Sequence, residues 1–416
     1  MPWKECSIMD QRLEFVLLAS SPNANISRLS ERFRISRTTA YKWIFRYRSG
    51  GYADLADKSR RPSHSPARTT DVMEQAILQV RDSNSAWGGR KIRRCLQNRC
   101  SSGQLKYMRN TNIPAAATIT EVLRRHGRLD QHVCEQHKKL VSFEYENPND
   151  LWQMDFKGDV ALSDGTISHP LTVLDDHSRF NLCLHSCDDQ KHETVRQQLT
   201  GIFRRYGMPL SMLMDNGVPW SGSHSSMTGM ALWLLRLGIR VLHGRPYHPQ
   251  TQGKEERFHR TLKAEVLNGR LFANHLRLQT AFDRWRIVYN HQRPHEALNM
   301  ETPSCKYSFS TRSFPETLPA VTYDSGEIIR KVSTGKTISF KRRIFYVAKV
   351  LIGETIALRP TNRDGVYWIC FGPFAIGEID LKLVPCGGYG LSRIFPSARS
   401  ARFGEYPCQE LVTVLD

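Results

Sequence analysis

The chain has 416 residues and carries 59 Lys and Arg residues against 40 Asp and Glu residues, a formal net charge of +19. This length exceeds one ordinary hydrophobic core and predicts two to four domains. The positive charge makes a polyanion, nucleic acid above all, the expected partner. No run of about 18 apolar residues occurs, and the first residues lack the apolar stretch of a signal peptide. We therefore expect a cytoplasmic, nucleoid-associated protein rather than a membrane protein.

Ten cysteines are scattered along the chain without a regular framework, which is typical of a reducing compartment. His132, Cys134 and His137 form one close Cys/His cluster. A closed zinc site needs four ligands, and the neighbouring sequence offers no second pair. A solvated helix or linker is therefore favoured over zinc.

Residues 1–50 predict a helix-turn-helix DNA-binding domain. Two short amphipathic helices follow each other closely, and Ser36 is placed to cap the second. A purely structural helical hairpin is the alternative. On the second helix, the side chains suited to base edges and phosphates in the major groove are Arg37, Thr38, Thr39, Lys42 and Arg46.

The segment from 51 to 70 mixes Gly, Pro and Ser with positive charge. This composition predicts a basic linker in which Arg60 and Arg61 contact DNA phosphates.

Residues 71–130 predict a second helix-turn-helix domain of three helices. Pro114 suits a first helical position and Gly127 suits a helix end. Three basic helices also occur in proteins that bind no DNA, so that alternative stays open. The expected DNA contacts are Arg90 and Lys91 before the reading helix, and Thr118 and Arg124 on it.

From residue 149 the pattern changes to strands. "LWQMDFKGDVAL" and "HPLTVLDDHSRFNLCLHSC" predict three antiparallel strands, "ETVRQQLTGIFRRYG" a helix, and "PLSMLMDNG" a buried strand. This order predicts an α/β ribonuclease-H-like core over residues 145–305. Alternating segments then predict a small C-terminal β-barrel at 317–385, followed by a tail at 386–416.

Three acids stand out by position. Asp155 lies within the first predicted strand, Asp215 follows a later one, and Glu256 begins a helix. A carboxylate within an apolar strand is costly to bury unpaired, and hard divalent cations prefer such oxygens. A lone buried Asp is usually a satisfied structural residue, but three that converge on one sheet edge favour a metal site.

These acids and their surroundings resemble the integrase-core group of DDE transposases and retroviral-type integrases. The segments that carry the resemblance are "LWQMDFKG", "MDNGVPW", "PYHPQTQGKEERFHRTLK" and "YNHQRPHEAL". With the preceding helix-turn-helix units, the pattern is similar to transposases of bacterial insertion sequences. The resemblance implies that Asp155, Asp215 and Glu256 are catalytic residues that bind two Mg²⁺ or Mn²⁺ ions.

The family position before the third acid is usually apolar, whereas this chain has Glu255 there, which we expect to be a solvated acid in the first helical turn. Glu256 shares one helix face with Arg260 and Lys263. Forty residues separate Asp215 from Glu256, more than the mid-thirties typical of the family. Lys254, Arg260 and Lys263 are further expected DNA contacts. A salt-bridged surface helix is the alternative for this segment.

The resemblance implies DNA strand cleavage at the ends of a mobile element and transesterification into target DNA, by a homo-oligomer assembled on double-stranded DNA. Arg293 and His295 in "YNHQRPHEAL" suit either DNA contacts or packing of the core. Three alternatives remain: a domesticated or regulatory DNA-binding protein without catalysis, a retroelement integrase, and a plain ribonuclease H.

Overall fold

The computed structural model describes residues 7–58, 68–104, 112–129, 144–214, 227–243 and 253–400. The chain divides into two compact units, Met1–Thr69 and Thr70–Asp416. Within the described ranges, no helix combines the length and the apolar character that a membrane span requires.

The first unit is helical, as predicted. Its helices are α1 (Ile8–Ala19), α2 (Ile26–Arg32) and α3 (Arg37–Gly50). Ser36 caps α3 by accepting a hydrogen bond from the Thr39 backbone N–H at 3.1 Å. A 3₁₀ turn follows and buries Leu55 in the core of this unit. The start of the expected linker therefore belongs to the folded helical unit.

The second unit begins with the three predicted helices, α4 (Asp71–Ser83), α5 (Gly89–Ser101) and α6 (Ala116–Arg125). Their apolar faces enclose Trp87 in a separate small core. At Gly89, a Cβ atom would lie 2.3 Å from the Ala116 carbonyl oxygen. Only glycine therefore allows α5 and α6 to approach so closely.

A six-stranded sheet follows, with the strand directions expected of a ribonuclease-H-like core. β4 pairs antiparallel with β3, and β3 with β1; β1, β5 and β6 then pair parallel, while β2 pairs with the start of β3. The strands are β1 (Leu151–Phe156), β2 (Val160–Ala161), β3 (Ile167–Asp175), β4 (Asn181–Cys187), β5 (Ser211–Met214) and β6 (Arg240–His243).

Helices pack on both faces of this sheet. On one face, Trp152 and Met154 of β1 share a hydrophobic core with α7 (His192–Tyr206) and α8 (Gly229–Arg236). On the other, residues of β3 and β4 pack against α9 (Gly253–Leu262) and α10 (His275–His291). Because side chains alternate along a strand, Gln153 and Asp155 face away from Trp152 and Met154. The predicted α/β core is confirmed.

The C-terminal region is rich in sheet, as expected. Five strands pair in the order β14-β12-β11-β10-β7, and three in the order β13-β9-β8. β13 and β14 lie in the range that the sequence analysis assigned to the tail. The strands are β7 (Ile328–Lys331), β8 (Thr337–Phe340), β9 (Arg343–Tyr346), β10 (Thr355–Pro360), β11 (Val366–Phe371), β12 (Phe374–Asp380), β13 (Tyr389–Leu391) and β14 (Arg393–Ser400).

Candidate active site

Asp155 lies near the end of the central strand β1, opposite Thr172 of β3. Its Oδ1 accepts a hydrogen bond from the Phe156 backbone N–H at 2.8 Å. Its Oδ2 lies 3.9 Å from Nδ1 of His259 on α9. The side chain keeps 24 % of its surface exposed. The strand therefore presents a partly open carboxylate to the helix that carries the two adjacent glutamates.

Glu255 is fully buried, with 0 % of its surface exposed. It lies on the inward face of α9 with Phe258 and Leu262. Burial, together with the nearby Asp155 charge, raises the pKa of Glu255 well above its usual value. The expectation of a solvated first-turn acid was wrong, because positions i, i+3 and i+7 share the packed face of this helix.

The Thr172 hydroxyl connects the buried groups. It donates to the Asp155 carbonyl oxygen at 2.9 Å, and it lies 2.9 Å from His259 Nε2 and 3.1 Å from Glu255 Oε2. A hydroxyl has one hydrogen and two lone pairs, so it can accept from both other groups if each carries a proton. Burial lowers the pKa of His259 to about 3, and Lys157 contributes, so this ring is neutral near pH 7.

Glu256 lies on the outer face of α9, with 58 % of its side chain exposed. Its Oε1 is 3.8 Å from Nε of Arg260. Lys263 is also exposed, at the start of a π-helical turn that continues α9. The acid and the two bases therefore share an accessible face, as their spacing predicted.

Asp215 lies outside the described residues. β5 ends at Met214, immediately before it in sequence, and pairs parallel with β1. Within the ranges that the structure describes, no group of three or more His, Cys, Asp or Glu side chains could hold a metal ion. A three-acid site would therefore depend on Asp215.

Lys254 is held inside the core. Its Nζ lies 2.6 Å from Oδ2 of Asp176, and the two side chains are 10 % and 0 % exposed. Burial lowers the pKa of Lys254 to about 8, although the Asp176 charge acts in the opposite direction. This position does not fit the DNA contact predicted for Lys254, since an accessible ammonium is what phosphate binding requires.

Helix α5 docks against the segment that follows α10. Arg90 pairs with Glu296 at 3.7 Å, and Arg94 pairs with Glu301. Between them, burial lowers the pKa of Lys91 to about 8, and the neighbouring Arg293 contributes. Arg90 remains exposed, but Lys91 belongs to an interface with the ribonuclease-H-like core, which does not fit its predicted role as a DNA contact.

Arg293 and His295, the two candidate residues of "YNHQRPHEAL", have structural positions. Arg293 is buried and pairs with Glu265 at 3.0 Å, while Trp285 Nε1 donates to the other oxygen of Glu265 at 2.8 Å. His295 is buried, and this burial lowers its pKa strongly. Packing of the core therefore explains both residues.

The other predicted DNA contacts lie on helix surfaces. Arg37, Thr38 and Lys42 are exposed on α3; Thr39 contacts the Ser36 cap, and Arg46 lies over the Trp43 ring at 5.0 Å. On α6, Thr118 is exposed and Arg124 pairs with Glu121. The remaining candidates, which lie outside the described residues, are Arg60, Arg61 and the cluster His132, Cys134 and His137.

Thr172, Asp176 and His259 were not predicted from the sequence. Each is buried or nearly so: Thr172 contacts Glu255, His259 lies near Asp155, and Asp176 contacts Gln153, two residues before Asp155. The available signal was the doubled acid in "LDDHSR": a turn needs only one side chain to bond its own backbone, and Asp175 does so through Ser178. The second acid, Asp176, was therefore available for contacts outside the turn.

Five regions of the chain match known families. Residues 11–63 match a helix-turn-helix domain, and residues 39–109 match a homeodomain-like domain. Two integrase core domain families match residues 146–249 and 237–303. Residues 327–384 match the C-terminal domain of IS481 family transposases.

Two curated relatives align with most of the chain. One is an uncharacterized 39.2 kDa protein of insertion element IS476 from Xanthomonas euvesicatoria. The two sequences are 23 % identical over an alignment that spans 66 % of this chain and 75 % of the relative. The other is an uncharacterized 31.7 kDa protein of insertion element IS407 from Burkholderia multivorans. It is 24 % identical over an alignment that spans 67 % of this chain and 93 % of the relative.

Among solved structures, the chain is similar to part of an intasome of simian T-cell lymphotropic virus in complex with PP2A regulatory subunit B56 gamma. The two are 16 % identical with a TM-score of 0.34, over 65 % of this chain and 96 % of the other. The family matches and the two relatives agree: the chain contains an integrase core with helix-turn-helix domains before it and an IS481-type transposase C-terminal domain after it, and it is similar to proteins of insertion elements.

Proposed function

We propose that Asp155, Asp215 and Glu256 form a DDE active site in which two divalent metal ions support DNA cleavage and strand transfer. The observation that carries the proposal is the approach of α9 to Asp155, with His259 Nδ1 at 3.9 Å from Asp155 Oδ2. That approach brings the first turn of α9, where both glutamates lie, to the open end of β1.

The donors suit Mg²⁺ or Mn²⁺, which prefer carboxylate oxygens. Asp155 is a quarter exposed and Glu256 is more than half exposed, so both carboxylates are accessible. Glu255 has no exposed surface, and its raised pKa favours the neutral form. Glu256 is therefore the better third ligand. When bound, the two ions would activate the attacking oxygen and stabilise the leaving oxygen.

Basic residues of the chain orient the DNA, and the neutral Glu255 limits the negative charge at the site. Arg260 and Lys263 lie on the exposed face of α9 beside Glu256, where they can bind phosphates. A neutral Glu255 adds no further negative charge beneath Asp155. In the proposed reaction, water attacks a phosphate at the element end and the bond to the 3′ oxygen breaks. The freed 3′-OH then attacks a target phosphate and displaces a second 3′ oxygen.

A plasmid that carries the DNA flanking the coding sequence on both sides tests this proposal. With Mg²⁺ we expect strand breaks at the element ends and joined products. Asp155→Asn, Asp215→Asn and Glu256→Gln should each abolish both, while leaving binding of end DNA nearly intact, because each removes a ligand and no recognition contact.

Glu255→Gln is the matched control on the same helical turn and should keep substantial activity. An inactive Glu255→Gln alongside an active Glu256→Gln would reverse the assignment within the pair. A wild-type chain that binds the ends but never cuts them would instead favour a regulatory DNA-binding protein. Acting on element and target DNA, the protein would work on the nucleoid.

A further inference from the structure

The buried carboxylate of Asp176 connects three segments of the catalytic core. Its Oδ1 accepts a hydrogen bond from Gln153 Nε2 at 2.6 Å. Its Oδ2 accepts from the Tyr145 backbone N–H at 2.9 Å and contacts Lys254 Nζ at 2.6 Å. Lys254 also donates to the Asp176 carbonyl oxygen at 3.2 Å. One carboxylate thus contacts β1, the segment before β1, and α9.

These contacts adjoin the proposed metal ligands on both sides. Gln153 lies two residues before Asp155 and faces the same side of the sheet, since alternate residues of a strand share a face. Lys254 lies two residues before Glu256, in the first turn of α9. The backbone N–H of Asp176 also donates to the Leu151 carbonyl oxygen at 2.9 Å, so the acid is itself fixed to β1.

We propose that Asp176 and Lys254 are positioning residues that hold the first turn of α9 at a set distance from β1. This inference rests on the active site proposed above. Without the pair, Glu256 would still lie on α9, but its position relative to Asp155 would no longer be fixed. A displacement of about 1 Å between catalytic groups can lower a rate by about 100-fold.

The burial of the pair suits the positioning of α9 better than it suits DNA binding. Asp176 is 0 % exposed and Lys254 is 10 % exposed, so solvent screens their attraction little. Removing one partner of a buried pair leaves an uncompensated buried charge, so an arrangement that separates the two partners is strongly disfavoured. Exposed ion pairs, such as Arg204 with Glu316 at 2.6 Å elsewhere in the unit, lack this property.

The test compares the full chain with Lys254→Met, Lys254→Arg and Asp176→Asn, with Arg204→Met as the control that breaks an exposed pair. Cleavage at saturating end DNA should fall about 100-fold in Lys254→Met and Asp176→Asn. Lys254→Arg, which keeps the positive charge, should recover part of the rate. The KM for DNA and the dependence of binding on salt should match the wild type in these variants. Arg204→Met should match the wild type in every one of these measurements.

Hydrogen exchange gives a second readout that does not depend on activity. Peptides covering residues 253–262 should exchange faster in Lys254→Met than in the wild type, and those in Arg204→Met should not. Lys254→Gln, which can still donate a hydrogen bond, replaces Lys254→Met if the latter does not fold.

Two results would overturn the inference. An unchanged cleavage rate and unchanged exchange in folded Lys254→Met would remove the positioning role. A decrease of about one in the salt slope of DNA binding, with α9 exchange unchanged, would make Lys254 a phosphate contact instead. A wild-type chain without cleavage would count against the proposed active site alone, because the exchange experiment still decides the positioning role.

Discussion

At the scale of single residues, Glu255 is a carboxyl group without exposed surface beside another acid. Its pKa is raised in the folded chain, so between the usual value of 4.5 and the raised value the folded state binds more protons than the unfolded state. Stability contributed at this site therefore falls as pH rises through that window. Below pH 4.5 both states are protonated and the penalty is absent.

Glu255→Gln should remove this dependence, because the amide keeps the shape of the neutral carboxyl and cannot ionise. With EDTA present, we expect the variant to gain stability relative to the wild type as pH rises from 5 to 7, by at most about 1.4 kcal/mol per pH unit. Thermal unfolding midpoints of both chains across this range measure the difference. Parallel curves for the two chains would show that Glu255 ionises freely in the fold.

Helical periodicity could have revealed more at the residue scale than it did. Glu255, Phe258 and Leu262 share one face, and this spacing alone places Glu255 inward. The partner of Lys254 could not be predicted, because Asp176 is 78 residues away in sequence and reaches α9 only through the pairing of β3 with β1. Local patterns thus predict which face a residue takes, and the tertiary fold decides what it meets there.

At the scale of elements, helix α5 joins the second helical module to the catalytic core. Lys91 lies within that contact with its pKa lowered to about 8. Below pH 8 the folded chain bears the full cost of burying the charge. From about 8 to the usual 10.5 the unfolded state binds more protons, so stability rises with pH.

Lys91→Met should therefore raise the thermal unfolding midpoint at pH 7, and this gain should shrink as pH approaches 10. The salt dependence of DNA binding should not change, because Lys91 is largely buried in the contact of α5 with the segment after α10. Arg124→Met, on the exposed surface of α6, is the comparison and should lower the salt slope by about one. A matching decrease in slope for Lys91→Met would place Lys91 at the DNA after all.

Helix α3 carries the expected base contacts of the first unit. Lys42 is exposed, and its Nζ lies 5.2 Å from the centre of the Trp43 ring. Lys42→Ala should weaken binding to specific sites more than binding to random DNA, which gel-shift titrations with both duplexes can measure. Ala at Arg60 and Arg61 should weaken both and flatten the salt dependence. Equal losses on both duplexes for Lys42→Ala would contradict the reading-helix assignment.

At the scale of the whole molecule, one chain has one proposed three-acid site, while joining two element ends requires two strand transfers. We therefore expect a multimer assembled on DNA, with a core acting on an end that another subunit binds. An Asp155→Asn chain mixed with a binding-deficient chain of intact acids should restore joining. Inactive mixtures, together with one chain per DNA end by light scattering throughout the reaction, would rule out this arrangement.

The order of the large elements was predictable from sequence. Helices α2 to α7, the strands β1 and β3 to β5, and helix α9 lie where period and turn residues placed them. Helix α1 was not anticipated, although Ser7 and Asp10 form the capping box that marks its start. The docking of α5 on the core was beyond prediction, because it depends on Glu296 and Glu301, about 200 residues away along the chain.

The separate core of the first unit has a consequence for engineering. Among the described residues, Phe15, Trp43 and Leu55 are buried in a core that this unit's own helices form. The module of α4 to α6 instead shares ion pairs with the segment after α10. We therefore expect that the first unit can be exchanged as a cassette, as in a chimaera with a related protein, and that the exchange redirects sequence preference. Transplanting the module of α4 to α6 would also require transplanting Glu296 and Glu301, with which it pairs.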